Sequence, residues 1–228
     1  MRIPPIRRQT GILALAIAGS LCACGGGAGD SAASRINGSI HVSATAPAGS
    51  IATINGSIET DDGAVLAAAR TVNGGITLGR NARAESLTTV NGPVRLAAGA
   101  RVSGAVTVVK GRITLAAGAV VSGPVTNVSG AIELDSAEVS GRITTVDGDI
   151  TVLGHSHVGG GLEVDRPNGW FFHVSDAIPR IVIGPGAVVD GPLRFLHKVA
   201  LFVSTQARIG PVSGATPVPF TGEAPPAG

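Results

Sequence analysis

Along most of the chain, branched aliphatic residues alternate with small or polar ones, and glycine interrupts the alternation every few positions. The unit Val/Ile-x-Gly-x-Val/Ile begins at Ile36, Ile54, Val72, Val90, Val109, Val128 and Val146, at successive steps of 18, 18, 18, 19, 19 and 18. Related units lie between these, at Val102-Ser103-Gly104, Val121-Ser122-Gly123, Val139-Ser140-Gly141 and Val158-Gly159-Gly160. Each coil is therefore expected to hold two strand segments. Alternation with period two marks strands with one buried face. Helical spacing is absent, and each interior glycine would weaken a helix by about 1 kcal/mol. A fixed period of about 20 residues announces a solenoid. The pattern predicts an all-β fold, a single-stranded parallel β-helix with about 18–19 residues per coil and about nine coils.

Stacked coils place equivalent residues above one another. Ile40, Ile58, Ile76, Val94, Ile113, Ile132 and Ile150 should form one internal column, and Leu87, Val106, Val125, Ile143 and Leu162 another. The glycines would let the chain turn or let backbones approach closely. A narrow interior accounts for the absence of aromatic residues up to position 169. Before the glycines stand Asn37, Asn55, Asn73 and Asn91, then Lys110, Ser129 and Asp147. Asparagine suits left-handed turns, and stacked amides can hydrogen-bond as a ladder. Turn chemistry accounts for that pattern; a ligand-binding stripe is the alternative.

The repeat spans 36–164 and breaks at 165–180, which carries Trp170, Phe171 and Phe172. It resumes in 181–213, and 214–228 reads as a loose tail rich in Pro and Gly. All six aromatics, Phe195, Phe202 and Phe220 among them, fall in this final part. They suit a cap over the open hydrophobic end that solenoids must close. The competing reading is an exposed aromatic patch that contacts a partner or a glycan.

The N-terminus changes the picture. Arg2, Arg7 and Arg8 precede an apolar run from Gly11 to Leu21, the layout of a secretory signal. The run falls short of the roughly 20 residues a membrane-spanning helix needs. Leu21-Cys22-Ala23-Cys24 resembles the bacterial lipobox. The resemblance implies that residues 1–23 are removed and that Cys24 carries a diacylglycerol and an acylated amine. Gly25, where an aspartate would retain the protein at the inner membrane, implies the outer membrane. Two or more acyl chains make a lasting anchor. Residues 24–35 form a flexible Gly/Ser tether. Both cysteines lie in this leader region, so the body has no thiol for disulfides. The full chain carries a net charge of +2; without 1–23 it has 14 basic and 15 acidic groups, a net −1. That excludes nucleic-acid binding, which needs a clustered positive surface.

Catalytic chemistry is sparse. His155 and His157, two apart in a strand-like stretch, are weak metal candidates that would need a third ligand such as His173; a polar surface turn is the plainer reading. Asp61-Asp62 before Gly63 reads as a turn. Nucleophile elbow, phosphate loop and zinc-protease motif are all missing from the sequence, so no catalytic residue and no cofactor is expected.

Ile183–Val189 resembles the hexapeptide repeat of left-handed β-helix acyltransferases over one or two hexads. Over 36–164 the Gly/Val-rich coils resemble the bactofilins. That resemblance implies a compact right-handed β-helix and a polymer-forming scaffold. The expected function is a non-enzymatic, lipid-anchored envelope scaffold. An adhesin or glycan- or protein-binding module using the aromatic insertion is the alternative, and a small β-helix enzyme the third reading. Expected partners are the membrane, a second copy end to end, and an envelope protein or glycan.

Overall fold

A computed structural model of the chain describes residues 33–45, 47–166 and 178–225. The expected signal segment, Cys24, most of the expected tether, Trp170, Phe171, Phe172, His173 and the last three residues lie outside the described residues. The described chain is a parallel β-solenoid without helix, built from a ten-stranded and a sixteen-stranded sheet.

The larger sheet folds over a corner, so the coil has three faces rather than two strand segments. From Arg101 onward each coil carries three short strands, for example Arg101–Val102, Val106–Lys110 and Ile113–Leu115. In two earlier coils the first and second faces fuse into single strands, Val65–Asn73 and Arg83–Asn91.

The expected columns form. Ile40, Ile58, Ile76, Val94, Ile113, Ile132 and Ile150 pair in register on the third face and continue through Ile181 and Leu201. On the second face, Ile51 and Ala69 precede Leu87, Val106, Val125, Ile143 and Leu162, and Leu193 and Val212 follow. Val102, Val121, Val139, Val158, Val189 and Ile209 complete the triangle on the first face. Ile58 to Ile150 along the third-face column are withdrawn completely from solvent, which is worth about 1.5–3 kcal/mol per large aliphatic side chain.

Alternation does not survive the corner between the second and third faces. Val106, Val108 and Ile113 are buried, but Val109 is half-buried on the outside. Gly111 and Arg112 turn the chain between the two strands, so the inside-outside parity restarts at Ile113. The leading residue of each repeat unit (Ile54, Val72, Val90, Val109, Val128 and Val146) thus forms an external aliphatic stripe, not part of the core.

The third-face strands recur at a nearly constant step until Ile150 pairs directly with Ile181. The extra residues enter between Leu162–Val164 and Arg180–Ile183, at the same corner, and leave the register intact. The last departure is the tail. Val218–Phe220, expected to be loose, is the tenth strand of the third face, paired with Ala200–Ser204. Burying Phe220 to 5% exposure over the final rung favours order, and Pro219 sits on the edge strand, where proline is tolerated. Phe195 is buried in the column above Thr145 and Val164, and the Arg180 guanidinium lies 4.7 Å from the Phe202 ring centre. Three aromatics therefore gather at this end of the rod.

Candidate functional site

The most regular chemistry lies at the glycine corner. Gly38, Gly56, Gly74, Gly92, Gly111, Gly130 and Gly148 stack there. Each glycine N–H from Gly38 to Gly111 donates to the carbonyl of the residue before the next glycine, as Gly74 does to Asn91 at 2.9 Å. The glycine carbonyl turns toward the interior of the next rung. There Thr71 Oγ1 donates to the Gly56 carbonyl and Thr89 Oγ1 to that of Gly74, both at 2.9 Å, and Thr53 Oγ1 to that of Gly38 at 3.3 Å. Asn127 replaces threonine in this column, and its Nδ2 donates to the Gly111 and Gly130 carbonyls at 3.0 and 2.9 Å. These buried threonines and Asn127 are functional to the fold, yet an analysis of apolar columns passes over them. Their recurrence at the rung interval, broken by Val108 between Thr89 and Asn127, is the signal that reveals them.

The asparagine ladder forms as the spacing implies. Asn55 Nδ2 donates to Asn37 Oδ1, Asn73 to Asn55 and Asn91 to Asn73, at 3.0, 2.9 and 3.0 Å. All four side chains are exposed, so each bond is worth about 0.5–1.5 kcal/mol at most. Asn73→Ala removes two of the three bonds. The expected loss is about 1–2 kcal/mol, read as a lower midpoint of denaturant unfolding, against a smaller loss for Asn37→Ala, which removes one.

Beside the ladder, the outer side of the second face carries Thr88, Thr107, Thr126 and Thr144 in register. The aliphatic stripe of Val90, Val109, Val128 and Val146 runs parallel to them, two positions along each strand. Hydroxyls and methyls are thus repeated at about 4.8 Å intervals along this face.

The histidines are separated. His155 is exposed in a turn, Ser156 between the two is buried, and His157 hydrogen-bonds through Nε2 to Asp190 Oδ2 at 2.6 Å. Ser156 Oγ donates to the Leu153 carbonyl at 2.6 Å and accepts from the Ala137 N–H at 3.1 Å. His157 is thereby committed to a carboxylate, not to His155. Among the described residues no group of three His, Cys, Asp or Glu side chains converges as a metal site. Asp61 accepts from His41 at 2.8 Å, and Asp62 Oδ1 accepts the Arg80 backbone N–H at 2.6 Å, so this acidic pair orders a turn. No family model, curated protein or solved structure matches the chain. Its chemistry has to be read from its own surface.

The two ends differ. On the first described rung Arg35 holds the position filled by Thr53, Thr71 and Thr89 on the next three, and it is exposed. At the other end Phe220 covers the last rung.

Proposed function

We propose that the chain is a non-enzymatic, lipid-anchored envelope protein whose solenoid serves as a rod-shaped scaffold. The observation that carries this reading is the unbroken register from Ile40 to Leu201, which gives every rung the same support from its neighbours. Ten third-face strands make nine rises, a rod about 43 Å long. The lipobox resemblance supplies the anchor at Cys24. Ala33 stands nine positions beyond Cys24, so the base of the rod stays within about 30 Å of the acyl chains. The protein then sets a fixed distance from the membrane and displays its faces along that distance.

The ends bear on assembly. A second copy stacked on the first rung would bury the Arg35 guanidinium against an apolar interior, a penalty of several kcal/mol for an unpaired charge. Inward-facing charge is one way natural sheets protect an edge. The rod accordingly acts singly rather than growing end to end from this face.

Two measurements test the reading. The chain expressed in a bacterium with its own leader is expected in the membrane fraction with acyl groups on Cys24, and Cys24→Ala is expected unacylated in the soluble fraction. Equal partitioning of both forms would refute the anchor. Light scattering of the detergent-extracted protein should report single rods at micromolar concentration; filaments would refute the blocked end.

A further inference from the structure

A charged pair on the first face has no place in the scaffold reading. Arg83 and Arg101 are direct register partners on adjacent strands, which sets their Cα atoms about 4.8 Å apart. Theirs is the one register pair with like charges among the described strands; Glu163 and Arg194, by contrast, face each other with opposite charges. Like charges placed directly across a ladder are destabilising. Glu85, two positions from Arg83 on the same outer side of the strand, is the carboxylate beside the pair. Val65 and Val120 flank it in the same column, and Glu138 lies a further rung away. No ion pair forms between either arginine and any described residue, although Arg112 and Arg142 are paired with Glu133 and Glu163.

The two arginines line a concave strip of about 450 Å³ that crosses five rungs, from Ala48 to Val120. Small residues make it concave: Ala67, Ser103 and Ser122 stand beside the arginine column, with Glu85 among them. Ser103 and Ser122 are exposed and add hydroxyl donors and acceptors. A long open trough, two guanidinium groups one rung apart and a serine row along one side together suit a chain-like anion better than a compact one.

We propose that this trough binds an acidic polysaccharide, with carboxylates of its uronic acids on Arg83 and Arg101. Guanidinium forks take carboxylates in bidentate fashion, and the trough runs across five rungs, long enough for a chain to lie along it. Sugar hydroxyls meet Ser103 and Ser122, and Val65 and Val120 supply apolar ground for ring faces. The inference is independent of lipid attachment at Cys24, so either can fail without the other.

Calorimetric titration of the full chain in detergent with a galacturonate oligomer tests it. Binding is expected at low ionic strength, weakening as salt is raised. Arg83→Ala or Arg101→Ala should each weaken it at least ten-fold, and the double variant should abolish it. Arg95→Ala, an exposed arginine on the third face, should leave it unchanged. Arg83→Lys/Arg101→Lys keeps the charge and should bind with intermediate affinity, which guards against misreading a folding defect. The proposal is overturned if the oligomer does not bind, if the double alanine variant binds as the parent does, or if a neutral dextran oligomer of equal length binds equally well. Inorganic phosphate competing as strongly per mole as the oligomer would overturn it too, since the trough would then hold only an isolated anion.

Discussion

Gly130→Ala is expected to lower the melting temperature by about 6–15 °C. The backbone at Gly130 has φ +114°, where a side chain is strained by about 1–2 kcal/mol. A Cβ there would also collide with the Gly111 carbonyl oxygen, the atom that accepts from Asn127. Overpacking adds about 1–3 kcal/mol, and displacing the carbonyl loosens a buried hydrogen bond. Gly63→Ala separates the two causes. Gly63 has φ +74° but open space around it, so it should show the strain alone and melt only a few degrees low. Thermal unfolding followed by circular dichroism reads both; equal losses would show that the stacked carbonyls do not restrict the corner.

Ile132→Ala is expected to cost about 2–5 kcal/mol. Ile132 is fully buried between Ile113 and Ile150 in the middle of the third-face column. In a solenoid, stability is close to a sum over rungs and their interfaces, so a cavity at mid-rod weakens the contacts that join two halves. Ile40→Ala affects a first-rung residue that is 7% exposed and has a neighbouring rung on one side only among the described strands. It should cost less than half as much. Denaturant titrations with matched slopes give both values. Equal costs at the two positions would mean that the rod does not behave as a stack of nearest neighbours.

The third-face and second-face columns were legible because rung length and side-chain alternation are both fixed by backbone geometry. Counting 18 residues on from Ile40 lands on Ile58, and further steps of 18 or 19 residues, set by the spacing of the glycine units, reach Ile150. The corner was less legible. Val109 and Ile113 share parity in the sequence but not in space, since the turn at Gly111 and Arg112 absorbs the alternation. The first face was hidden as a separate face for a related reason: Arg101–Val102 and its equivalents are only two residues long, too short for alternation to register. Phe220 was obscured by the prolines around it, which signal looseness in isolation but suit an edge strand. The Arg83–Arg101 pair could have been found by counting, as the two stand one coil length apart. Attention to apolar columns alone passes over a charge that recurs at the rung interval.

Ile150 and Ile181 sit side by side although the chain between them is much longer than one coil. The rod therefore has one position where its perimeter can carry a passenger without altering its pitch. Segments of very different size could be exchanged at that point while both flanking halves stay bolted together. Diversification of such a molecule would be expected to concentrate there, leaving the shaft as a constant mast beneath a changeable pennant.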